Sequence, residues 1–183
     1  KKAIVYMPTH RSSGKRKMCM NKILPMENIQ TFCESNNYVF IIKKHFYHRA
    51  EIEDLEKYPN IFDITGEEDI DPQVLLWQAD VLISDYSACY IDYLLLNRPL
   101  MFYQYDSIEF QETERSFYIP FELLDFAPIA KCKKDFLSVA CNEDDIFRDK
   151  GLAFTPTYFK NMTQSGGRDE VKRILDNLIK KYS

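Results

Sequence analysis

Three short stretches of the 183-residue chain gather side chains that bind phosphate or handle protons. Ser84-Asp85-Tyr86-Ser87-Ala88 interrupts an apolar run and brings two small hydroxyls and several backbone N–H groups to one spot. Set between a strand and a helix, such a loop aims N–H donors and the positive end of a helix dipole at one small volume, which suits the phosphates of a diphosphate. Asp92 follows on the first turns of that helix, where a carboxylate facing the same volume meets a ribose diol. His45, with His48 shortly after it, closes a second apolar run, and an imidazole there holds or shuttles a proton near neutral pH. Arg11 opens a basic stretch with Lys15, Arg16 and Lys17 that lacks the glycine and lysine spacing of a Walker loop. Of these, Arg11 stands nearest the preceding apolar run and is the one placed to reach inward. Plain alternatives remain for each: a capping serine, a solvated aspartate, a loop histidine, a solvated basic loop. His45 and His48 have a two-ligand spacing without a third ligand, so neither a metal nor a cofactor is expected.

The elements that carry these residues are legible from hydrophobic spacing. Ala3 to Met7 and Tyr38 to Ile42 read as strands, with a helix from Pro25 to Cys33 between them. A short polar helix from Ala50 to Lys57 leads to a third strand at Ile61 to Ile64. Asp71-Pro72 signals a helix start, an N-cap followed by proline at the first helical position, and that helix runs to Asp80. Residues 81–84 form a strand, 88–97 a helix with Ser87 as its cap, and Pro99 to Tyr103 a fifth strand. Strands alternating with helices at this spacing predict a doubly wound α/β domain with a parallel sheet. Ligands of such sheets bind beyond the carboxyl ends of the strands, so the loops at 8–17, 43–48 and 84–88 are expected to share one crevice. Residues 104–165 are less regular, with short helices expected around 133–150. From Asp169 onward Val171, Ile174, Leu175, Leu178 and Ile179 make one apolar helix face.

Composition narrows the class. With 45% hydrophobic residues the chain suits one well-buried domain, 1–183, rather than two large ones. A net charge of −4 argues against a nucleic-acid partner gripped through a basic face. Five cysteines without a CxxC pair predict reduced thiols in a cytoplasmic protein. No apolar run reaches the roughly 18 residues of a membrane span. The first residue is Lys1, directly on a strand-like run, which suggests a piece of a longer protein.

Four segments in order carry a resemblance. Tyr6-Met7-Pro8-Thr9-His10-Arg11, then Lys44-His45, then Asp80 to Tyr93, then Asn97 to Tyr103 with Tyr105-Asp106 together resemble the CDP-glycerol glycerophosphotransferase family of teichoic-acid polymerases and primases. Three positions depart from the usual pattern. His10 stands in place of tryptophan, Ala88 in place of a second serine, and Ser116 in place of glycine within Arg115-Ser116-Phe117-Tyr118.

The resemblance implies a Rossmann-like sheet forming the C-terminal, nucleotide-binding half of a GT-B fold, with the N-terminal half absent from these residues. It assigns Arg11, Ser84, Ser87 and Ala88 to the donor phosphates, Asp92 to the ribose, and His45 to catalysis at the diphosphate. The implied reaction moves glycerol phosphate or another polyol phosphate from a CDP-linked donor to a hydroxyl of a wall polymer or glycan, releasing CMP. Beyond donor and acceptor, the implied partners are the missing N-terminal domain and the inner face of the cell membrane. A nucleotide-sugar glycosyltransferase and a non-catalytic nucleotide-binding module are the alternative readings.

Overall fold

The computed structural model describes residues 1–11, 19–45, 50–96, 98–114 and 127–140. They contain six strands: β1 (Lys2–Met7), β2 (Tyr38–Ile42), β3 (Ile61–Asp63), β4 (Val81–Ser84), β5 (Leu100–Tyr103) and β6 (Ile129–Ala130). The helices are α1 (Met20–Ile23), α2 (Met26–Ser35), α3 (Pro72–Gln78), α4 (Cys89–Leu94), α5 (Ser107–Thr113) and α6 (Lys133–Ala140). All pairings are parallel, in the order β3-β2-β1-β4-β5-β6. The chain therefore starts at the centre of the sheet, builds outward to β3, and returns to build the other side from β4. The point of reversal lies between β1 and β4, and a crevice forms at the carboxyl edge of such a switch point.

Alternation along each strand explains why the strands read as unbroken apolar runs. Ile4 and Tyr6 of β1, Val81 and Ile83 of β4, and Met101 and Tyr103 of β5 point to one face, where Met20, Leu24, Met26, Ile29 and Phe136 cover them. Val5, Leu82, Leu100 and Phe102 point to the other, under Leu75 and Leu76 of α3, Tyr93 of α4 and Phe110 of α5. Both faces are thus dry, as a parallel sheet requires. Helix α3 begins as its sequence dictates: the Asp71 carboxylate accepts the Gln73 N–H at 2.8 Å, and Pro72 occupies the first turn.

The doubly wound α/β fold expected from the sequence is the one observed, with differences of extent. In place of the helix expected over 50–57 there is only a 3₁₀ turn, Leu55–Lys57. Helix α4 spans only Cys89–Leu94, and its N-cap position falls on Ala88 rather than Ser87. Strand β6, α1 and α5 were not anticipated. Most of the span 104–165 and the amphipathic segment from Asp169 lie outside the described residues, as do Lys15 to Lys17, His48 and Arg115 to Tyr118.

Candidate functional site at the carboxyl edge of the sheet

A cleft of about 740 Å³ opens beyond the carboxyl ends of β1 and β2. Its lining includes Met7 to His10 after β1, Lys43 to His45 after β2, and Ser87 after β4. The three loops expected to share a crevice do share one, through their described residues. The far wall comes from the β3–α3 connection, with Thr65, Glu68, Ile70 and Pro72.

His45 is exposed in this cleft, and the ring of half-buried His10 meets it edge-on at 5.6 Å between centroids. Two anchors hold the neighbouring lysines. The Lys44 ammonium is buried and donates to Asp63 at 2.6 Å and to the Ala50 carbonyl at 2.7 Å, while its backbone N–H donates to the Thr65 hydroxyl at 3.1 Å. Lys43 reaches across to the Glu67 carbonyl at 2.6 Å and the Ile64 carbonyl at 3.2 Å, tying β2 to the far wall. The segment ending in His45 is therefore held on both sides of the sheet edge.

Beneath the cleft lies a buried polar knot. Asp85, wholly inaccessible, accepts from the Thr9 backbone N–H at 2.8 Å, from the Thr9 hydroxyl at 2.6 Å and from Arg11 Nη2 at 2.9 Å. Asp106 takes Arg11 Nε at 2.8 Å and the Tyr86 hydroxyl at 3.1 Å. The remaining Arg11 nitrogen donates to the Thr9 carbonyl at 2.6 Å. The guanidinium also lies 4.7 Å from the Phe110 ring and 5.0 Å from that of Tyr86, inside cation–π range. Burial by itself would lower the Arg11 pKa, but the hydrogen bond to Asp106 and the charge of Asp85 outweigh it, so the pKa rises and the cation is permanent. Burial and then the Asp106 charge push the Tyr86 phenol up, keeping it a neutral donor.

Four of the expected site residues lie away from the cleft lining. Arg11 does not face the cleft: with 7% of its surface accessible and its donors taken by two carboxylates and a carbonyl, it is a fastening between loops. A charge taken out of water needs such partners, and carboxylates at neighbouring strand ends supply them. Ser84 is wholly buried, its hydroxyl donating to the Met7 carbonyl at 3.4 Å and lying 3.4 Å from Cys89 Sγ, so it belongs to the sheet edge and not to the cleft lining. Asp92 is exposed and pairs with the Gln73 amide at 3.3 Å, bridging α4 to α3 away from the lining. Ala88 is exposed at the start of α4, also outside the lining. Ser87 lines the cleft, and its hydroxyl accepts the Cys89 N–H at a long 3.4 Å. Burial raises the Cys89 thiol pKa despite hydrogen bonds with Ser84 and Ser87, so it stays protonated and inert near neutrality. Among the described residues no group of three or more His, Cys, Asp or Glu is arranged to hold a metal ion.

Residues 1–179 match the family described as CDP-Glycerol:Poly(glycerophosphate) glycerophosphotransferase. The chain belongs to that family. Teichoic acid ribitol-phosphate polymerase TarL of Staphylococcus aureus is 31% identical over 183 residues, an alignment covering 98% of this chain and 31% of the relative. The Teichoic acid poly(glycerol phosphate) polymerase of Bacillus spizizenii is 26% identical, covering 98% of this chain and 45% of the relative. Among solved structures, the Wall Teichoic Acid Polymerase TagF superposes with a TM-score of 0.70 at 25% identity, covering 99% of this chain and 43% of TagF. A TagF variant soaked with CDPG gives a TM-score of 0.66 at 27% identity, over 84% of this chain and 38% of that one. The chain spans between about a third and a half of the length of these relatives. For this glycerophosphotransferase-family chain, residue chemistry alone missed Thr9, Asp85, Tyr86 and Asp106. The available signal was a pair of carboxylates following β4 and β5, the next two strands on one side of the strand that Arg11 follows.

Proposed function

We propose that this chain is the donor-binding domain of a transferase that moves glycerol phosphate or a related polyol phosphate from a CDP-linked donor to a hydroxyl of a teichoic-acid-like wall polymer. The observation that carries the reading is the cleft at the carboxyl edge, which gathers His10, His45 and Ser87 in a chain whose relatives are teichoic acid polymerases. In this reaction the acceptor oxygen bonds to the polyol-bearing phosphorus, the bridging P–O bond breaks, and CMP leaves with the electron pair while the hydroxyl loses its proton. Such transfer asks for positioning and charge neutralisation rather than covalent help. His45 stabilises charge on the diphosphate, and the Ser87 hydroxyl holds a phosphate. The rest of a GT-B enzyme supplies the opposite wall and the base, and the complete protein works at the inner, cytoplasmic face of the membrane.

Competition binding tests the donor. CDP-glycerol bound to this domain is expected to be displaced by CDP-ribitol and not by UDP-sugars, with no CMP released by the domain alone. Displacement by UDP-sugars favours the nucleotide-sugar alternative, and no binding of any nucleotide removes the donor-site assignment. In the complete protein His45→Ala is expected to leave stability nearly unchanged, since the residue is exposed, and to lower turnover by about 10²-fold or more. Normal turnover in that variant takes His45 out of the mechanism.

A further inference from the structure

We propose that Glu68 is a specificity-determining residue for the donor: its carboxylate accepts a hydrogen bond from the exocyclic amine of a cytosine base and so selects CDP-linked donors over their uridine counterparts. Among the described residues Glu68 is the only acidic side chain in the cleft lining. It is exposed there, and no hydrogen bond or ion pair with another described residue occupies its carboxylate. The carboxylates nearby in sequence are committed: Asp63 to Lys44 and Thr65, and Asp71 to the N–H of Gln73. The backbone that carries Glu68 is fixed. Lys43 donates to the carbonyls of Ile64 and Glu67, the Glu67 N–H closes a turn onto the Ile64 carbonyl at 3.1 Å, and the Ile70 N–H returns to the Glu67 carbonyl at 3.4 Å. An acceptor on an anchored loop is suited to discriminate, because less of it has to be ordered when the ligand binds.

Charge and distance decide which part of the donor meets it. A carboxylate repels a diphosphate, so the phosphates lie toward Ser87 and the neutral end of the nucleotide toward Glu68. Glu68 follows β3 and Ser87 follows β4, three strand spacings apart in the sheet order, or about 14 Å. A nucleoside diphosphate laid across the cleft covers that span with its base, not its ribose, at the far wall. Ile70 and Pro72 on the same wall offer apolar surface to a ring face. At the cytosine edge the amine on C4 is a donor, and a carboxylate is its matching acceptor. Uracil carries a carbonyl oxygen at that position, which sets two acceptors against each other.

Glu68 acts this way only if the cleft is the donor site proposed above, and one binding experiment separates the two. Calorimetry on the complete protein is expected to show CDP favoured over UDP by about 10- to 100-fold, the range of one hydrogen bond to a charged group. Glu68→Ala is expected to weaken CDP by about 10-fold and to leave UDP unchanged or tighter. Glu68→Gln, whose amide both accepts and donates, is expected to bring the two nucleotides within about 3-fold of each other. Both variants are expected to keep the native thermal midpoint, since the side chain is exposed. Equal loss of CDP and UDP affinity in Glu68→Ala assigns the carboxylate to the ribose hydroxyls and overturns the proposal. CDP favoured by the native protein and by both variants alike removes Glu68 from recognition while the donor site stands, and so does a native protein that binds CDP and UDP equally. Binding of neither nucleotide removes the donor site and the role of Glu68 together.

Discussion

At the scale of single residues, burial decides which polar groups serve the cleft and which serve the fold. His45 and Ser87 sit on the cleft because residues that follow parallel strands emerge at the carboxyl edge, and that much was legible in the sequence. Arg11 obeys the same rule of place and yet turns inward, because its partners lie 74 and 95 positions away, at Asp85 and Asp106. Local sequence carries no trace of such a pairing, so an arginine bound for phosphate and one bound for a buried carboxylate look alike. Arg11→Met, which keeps bulk but leaves Asp85 and Asp106 without their cation, is expected to cost roughly 3 to 5 kcal/mol in urea unfolding. Adding Asp85→Asn to it should cost less than the two single changes summed, since both break the same fastening. Single variants within about 1 kcal/mol of the native protein would mean that the knot holds nothing together.

At the scale of elements, periodicity read well wherever a segment was long or doubly buried. β1, β2, β4 and β5 are short but apolar on both faces, so a continuous run marked each one. The two-residue β6 offers no run to read, and α5, SIEFQET, buries only Phe110, leaving a mostly polar segment without a stripe. Helix α3 shows the opposite case, in which a start signal outweighs a weak stripe: Leu75 and Leu76 are buried while Val74 and Trp77 are more than half exposed. Its stability then leans on the cap. Asp71→Ala removes the acceptor of the Gln73 N–H and is expected to cost about 0.5 to 2 kcal/mol, read by thermal or denaturant unfolding. An unchanged midpoint would show that α3 is held by Leu75 and Leu76 alone.

At the scale of the whole molecule, several phenols are buried in and around the sheet. Burial is the leading cause that raises the pKa of Tyr6, Tyr86, Tyr93, Tyr103 and Tyr105, and the buried Tyr6 hydroxyl has no hydrogen-bond partner among the described residues. A group whose pKa is higher folded than unfolded gives its full stabilisation below the unfolded value and loses it as pH climbs past that value toward the folded one. Stability is therefore expected to hold up to about pH 10 and to fall beyond it, as the unfolded chain alone releases these protons. Tyrosinate absorbance rising together with loss of circular dichroism supports this; ionisation of all five in a chain that stays folded contradicts it. The knot beneath the cleft has a consequence in time as well as in space. A ribosome adding about 5 to 20 residues per second delivers Asp106 some 5 to 19 s after Arg11. Throughout that interval the nascent chain carries an arginine without the partners its burial requires, so the loop from Thr9 to Arg11 is fastened only after the cleft walls around it.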